Sequence, residues 1–196
     1  MQDIIISGLC KAYGEHVVLK DFSCCFEAGS ASCLMAPSGY GKTTLLRLIM
    51  GLEQADAGSI AGADGLRINP LFQEDLLCEN LNAIANLQLV NVQLDRKAAK
   101  NALLDTGLED CAGQKVHRFS GGMKRRVALM RALCASGDLL LLDEPFKGLD
   151  EDNRRRMIAC IEKYRNGRTM ILVSHDERDA LALQAQIIRM EQKNRI

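Results

Sequence analysis

The chain has 196 residues, 47% hydrophobic and 26% charged, enough to bury one core and fold as a single domain. Its 25 Lys and Arg are matched by 25 Asp and Glu, which leaves no excess positive field to hold a nucleic-acid backbone or an anionic membrane nonspecifically. No apolar run approaches the roughly 20 residues of a membrane-spanning helix. The opening Met-Gln-Asp-Ile-Ile-Ile lacks the basic and long apolar regions of a secretory signal, so a cytoplasmic protein is expected. Cys10, Cys24, Cys25, Cys33, Cys78, Cys111, Cys134 and Cys160 form no Cys-x-x-Cys pair and lie mostly in apolar segments. Buried free thiols are therefore expected rather than a disulfide scaffold or a metal site.

In chain order, apolar alternation predicts strands around Ile4 and Ile6, over 19–26 and over 31–36, with an antiparallel start. A glycine-rich loop follows, then a helix from Lys42 whose Leu45, Leu48 and Leu52 share one face. Residues 58–65 read as turn-rich, 66–72 as a short strand, and 79–89 and 95–106 as helices, with only helices expected between Gln73 and Ser120. A further helix is predicted over 121–135, with Val127, Met130 and Cys134 on one face and Lys124, Arg125 and Arg126 near its start. The apolar runs 139–143, 169–174 and 187–190, separated by helical or polar stretches, read as buried parallel strands. The expected fold class is α/β: a mostly parallel sheet, an antiparallel β subdomain at the N-terminus, and a helical subdomain inserted at about 74–136. No regulatory extension is expected after Met190.

Three segments carry chemistry. Ala36-Pro37-Ser38-Gly39-Tyr40-Gly41-Lys42-Thr43-Thr44 matches the phosphate-binding P-loop, with Ala36 where its first glycine belongs. Gly39 and Gly41 let the backbone fold tightly, so that consecutive N–H groups face phosphate oxygens at the positive end of the following helix. Lys42 can reach the β- and γ-phosphates, where one charge pair at contact is worth about 4 kcal/mol at an effective dielectric of about 20. Thr43 offers a hydroxyl to magnesium. An ordinary glycine turn before a core helix would use similar residues, but strand, loop and helix here follow in the order the motif demands. Ala36 gives up access to positive φ, which predicts a subtly reshaped loop entrance.

The second segment, Leu139-Leu-Leu-Leu-Asp143-Glu144, reads as a buried strand reaching the carboxyl edge of its sheet, where ligands bind. Asp143 would hold magnesium and Glu144 would act as general base toward the attacking water. Alone, this pattern serves equally as a capped strand before Pro145. With a P-loop upstream, it supplies the complementary half of a magnesium nucleotide site.

The third segment, Phe119-Ser120-Gly121-Gly122-Met123-Lys-Arg-Arg126, resembles the signature motif of the ABC ATPases. Ser120 with Gly121 and Gly122 opens a helix and makes a second anion site; alone, the same residues would be a plain N-cap. Further landmarks of that family appear in order along nearly the whole chain. Tyr13 matches the aromatic that stacks on adenine, and Gln73 the glutamine that contacts magnesium and water and senses the transporter subunit. Asp150, in Gly-Leu-Asp, matches the loop linking two active sites, and His175 the switch histidine that contacts the γ-phosphate. Phe119, Met123 and Lys147 depart from the family pattern without removing a phosphate ligand or the base.

The resemblance implies a P-loop NTPase core that binds ATP and Mg2+ and hydrolyses ATP. It also implies a second ATPase subunit, as a homodimer with two ATP molecules sandwiched head to tail, and an integral membrane permease on a separate chain. A solute-binding protein would accompany an importer, and the ATPase would lie on the inner face of the membrane, held there by the permease. Phe72-Gln-Glu-Asp-Leu-Leu and Asn80-Leu-Asn-Ala-Ile-Ala-Asn are similar to importers of nitrate, sulfonate, taurine and related small solutes. The alternative is an ABC ATPase doing mechanical work on a membrane complex, such as envelope remodelling or lipoprotein release. An ABC protein acting on DNA or ribosomes is disfavoured by the neutral charge and the lack of long coiled coils or a tandem second ATPase domain, so no nucleic-acid partner is expected.

Overall fold

Side chains on a strand alternate between the two faces of its sheet, and that alternation sets the layers in the computed structural model, which describes residues 2–190. The segment after Met190, where no extension is expected, lies outside the described residues. Three strands form an antiparallel sheet: β1 (Ile4–Tyr13), β2 (His16–Phe26) and β4 (Ala57–Ala61), in the order β2-β1-β4. A five-stranded sheet combines β3 (Ala31–Met35), β5 (Ile68–Leu71), β6 (Leu139–Asp143), β7 (Thr169–Val173) and β8 (Gln186–Arg189). Its order is β5-β6-β7-β3-β8, and every pairing is parallel.

Leu139 and Leu141 of β6 and Ile171 and Val173 of β7 face one core, shared with β1, β2 and the helix α1 (Lys42–Ile49). Leu140, Leu142, Met170 and Leu172 face the other. That second core is closed by α2 (Ala83–Gln88), α3 (Arg96–Asp105), α4 (Gly121–Cys134) and α5 (Glu151–Arg165). A short α6 (Glu177–Ala182) precedes β8. Continuous apolar runs such as Leu139–Leu142 arise because both faces of the parallel sheet are covered. Among the described residues, no helix is long and apolar enough to cross a membrane.

The sequence reading needs five corrections, the first being that α1 ends at Ile49 and leaves Leu52 exposed beyond it. Residues 57–61, inside the stretch read as turns, form β4; its residues are nearly all exposed, and its pairing with β1 rather than its own pattern makes it a strand. The helix expected over 79–89 is only Ala83–Gln88, because the Asn82 side chain accepts from Ala85 N–H at 2.8 Å and starts it late. Between Gln73 and Ser120 the chain also holds 3-10 turns and an isolated antiparallel bridge between Asn82 and Lys115. The cysteines are free, but Cys25 and Cys78 are exposed rather than buried.

Candidate functional site

The P-loop joins β3 to α1 at the carboxyl edge of the parallel sheet, the edge at which β6 and β7 also end. Its two inner glycines have different reasons to be glycine. Gly41 caps α1 at φ +80°, and a Cβ there would stand 2.7 Å from Val18 Cγ1 and 2.9 Å from Leu19 Cδ2. Gly39 has φ +82° with open space where a Cβ would point. Ala36 is absent from the residues with positive φ, so the loop is entered without a left-handed residue at that position.

The Lys42 ammonium folds back along the loop and donates to the carbonyls of Ala36 at 2.7 Å and Pro37 at 3.0 Å. The Thr43 hydroxyl donates to Asp143 Oδ2 at 3.0 Å, bridging the P-loop and the end of β6. Burial pushes the Asp143 carboxyl above its ordinary value, while the Thr43 hydrogen bond and the Arg125 and Lys42 charges oppose that rise.

A cleft of about 400 Å³ opens over this edge. Ser38, Gly39, Gly41, Lys42, Thr43 and Thr44 line it from the P-loop, with Gln73, Asp143 and Glu144 opposite. The sequence-selected residues Ala36, Pro37 and Tyr40 belong to the same loop without lining the cleft. Glu144 follows β6 at φ +51°, rare for a residue with a side chain. Its N–H donates to Val173 O at 3.0 Å, and its carboxylate lies 2.9 Å from His175 Nδ1. His175 stands on a turn built by Ser174, whose buried hydroxyl donates to Asp179 and accepts from Asp176 N–H.

Five other selected positions stand away from the cleft wall. Tyr13 is exposed at the end of β1, its hydroxyl donating to Glu53 and Lys11 Nζ lying 5.5 Å from its ring centroid. Ser120 caps α4, accepting from Met123 N–H at 3.3 Å, and neither it nor Gly121 and Gly122 line the cleft. Gly122 instead approaches Gly148 and Leu149. Asp150 caps α5, accepting from Asn153 N–H at 2.8 Å.

Three residues near the site escaped the sequence reading. His16, the register partner of Tyr13 across the β1–β2 hairpin, and Val18 line the cleft. Nothing chemical in their sequence context marks them. Arg125 was noted only as part of a basic run, yet its guanidinium is buried beside the acidic pair. Of the departing residues, Phe119 is buried in the core and Met123 packs partly against it, while Lys147 is exposed.

Comparison with known proteins supplies the family. The ABC transporter family model matches residues 19–147. The aliphatic sulfonates import ATP-binding protein SsuB 1 of Rhodococcus jostii is 37% identical over 187 residues, covering 92% of this chain and 76% of the relative. The sulfate/thiosulfate import ATP-binding protein CysA 2 of Chromobacterium violaceum is 36% identical, covering 96% of this chain and 56% of its own length. Among solved structures, a dimeric ATP-binding cassette in a post-hydrolysis state, bound to ADP and Pi, superposes with a TM-score of 0.82 at 26% identity, covering 96% of this chain and 94% of that one. With the P-loop, the acidic pair and the signature helix in one α/β frame, this chain belongs to the ABC transporter family as an ATP-binding, ATP-hydrolysing subunit.

Proposed function

We propose that this chain powers a membrane importer of small solutes, binding ATP and Mg2+ in the cleft over the P-loop and pairing with a second copy of itself. The observation that carries the reading is the split between two anion sites. Lys42, Thr43, Asp143 and Glu144 share one cleft, whereas Ser120 at the N-terminus of α4 stands apart from it. A helix N-terminus with a free face attracts phosphate, and a second copy placed head to tail would bring its γ-phosphate there. Gly148, whose carbonyl lies beside Gly122, and Asp150 two residues on would link the two sites.

Within the cleft, the P-loop N–H groups and Lys42 would hold the phosphates, with Tyr13 or its neighbour His16 against the base. Thr43 and Asp143 already place a hydroxyl and a carboxylate 3.0 Å apart, a hard-oxygen pair suited to Mg2+, with Gln73 across the cleft. The ion would neutralise charge on the β- and γ-phosphate oxygens. Glu144 would take the proton of the attacking water. His175, bonded to that carboxylate, would hold it in place and meet the γ-phosphate.

Residues 74–136 would form the helical lobe of one ATPase unit, and Gln73 at its root would sense the permease. The names of the sulfonate and sulfate relatives support import; on that reading the chain would sit on the inner membrane face, held by a separate permease and served by a solute-binding protein. Glu144→Gln tests the chemistry: hydrolysis should slow by about 10²–10⁴-fold with ATP binding retained. A normal rate would remove Glu144 as the base. Gentle-detergent purification from native membranes tests the assembly, with a multispanning chain expected alongside; recovery without one counts against transport.

A further inference from the structure

Arg125 is a buried cation on the second turn of α4, five residues after Ser120, with 4% of its surface exposed. A guanidinium has five N–H donors, and here each meets an acceptor. Nε donates to Pro145 O at 3.3 Å, Nη1 to Phe72 O at 2.7 Å and Asp75 Oδ1 at 3.0 Å, and Nη2 to Glu144 O at 2.8 Å and to Asp143 O. These acceptors come from two segments only: the turn that carries Gln73, and the end of β6 that carries Asp143 and Glu144. Six residues further along α4, Arg131 donates to Leu76 O at 2.9 Å and Asp75 O at 3.1 Å, tying the first segment to the helix a second time.

We propose that Arg125 is a positioning residue that fixes Gln73 and the positive-φ backbone of Glu144 relative to each other. The helix that opens with the signature Ser120 thereby moves as one piece with the chain's own hydrolytic groups. Burying this charge is costly, and Asp75, its ion-pair partner among the described residues, is itself part of the turn being held. The planar fork accounts for the choice of arginine, because a lysine ammonium has three donors at one point and cannot span both segments.

The proposal rests on Glu144 as the base, and a double-mutant cycle on the purified full chain separates the two ideas. Arg125→Lys should lower kcat by about 10–10²-fold, as a small misplacement of a catalytic group does, while KM for ATP stays within about twofold. Glu144→Gln/Arg125→Lys should be no slower than Glu144→Gln alone, since a group acting through Glu144 has nothing further to lose. A slow Glu144→Gln with Arg125→Lys at the normal rate overturns the role of Arg125 alone; so does a double variant in which the two losses multiply. A normal rate for Glu144→Gln overturns the base assignment instead. Should Arg125→Lys fail to fold, Asp75→Asn removes the countercharge from a more exposed site: a fall in kcat at constant KM supports the proposal, and an unchanged kcat overturns it.

Discussion

The glycines of the P-loop can be separated by a methyl group. Alanine at position 41 must hold φ near +80°, which costs about 1–2 kcal/mol for an L-residue. Its Cβ would also meet Val18 Cγ1 at 2.7 Å, Leu19 Cδ2 at 2.9 Å and the Val18 carbonyl at 3.1 Å, and relieving such overpacking costs about 1–3 kcal/mol. Gly41→Ala should therefore lose about 2–5 kcal/mol, or about 4–20 °C in thermal midpoint for a chain of this size. Gly39→Ala carries the strain without the clash, since no atom lies within 4 Å of its Cβ position. It should lose only about 1–2 kcal/mol, or about 2–8 °C. Gly39 lines the cleft, so a methyl group there should crowd a bound phosphate and lower ATP affinity by about 10–10²-fold, the worth of one hydrogen bond to a charged group. Thermal unfolding and nucleotide titration of the two variants together make the test. Equal midpoints would refute the assignment of Gly41 to packing against β2, and unchanged affinity in Gly39→Ala would refute the cradle.

Asp143 supplies a pH-dependent counterpart. Because burial raises its folded-state value, the protonated form is favoured on folding, and that contribution is present at low pH and lost as pH rises through the raised value. Asp143→Asn, measured without nucleotide, should raise the thermal midpoint at about pH 7, with the gain shrinking toward about pH 4, while magnesium-dependent hydrolysis is lost. A lower midpoint at neutral pH would contradict the burial argument. The thiols give a simpler reading of packing: burial pushes Cys24 and Cys33 up to about 12, and Cys134 and Cys160 up to about 11. A thiol reagent at about pH 8 should modify exposed Cys25 and Cys78 first and reach these four only on unfolding. Early modification of Cys33 or Cys160 would show that the second core is open.

The parallel core was legible because both its faces are covered, so β6 and β7 appear as unbroken apolar runs. The P-loop and the acidic pair were legible because their spacing is imposed by chemistry, and the cleft joins them through Thr43 and Asp143. What escaped depends on partners distant in sequence. β4 has almost no apolar pattern of its own and exists through its register with β1, Ile5 opposite Ala61 and Ser7 opposite Ser59. Arg125 looked like one charge among three, and only the fold brings Phe72 and Glu144 to its guanidinium.

The proposed head-to-tail pairing of two copies is tested most directly by light scattering of Glu144→Gln, with and without magnesium and ATP. A shift from monomer to dimer on adding both is the predicted result. A monomer that binds ATP without pairing would contradict the composite site.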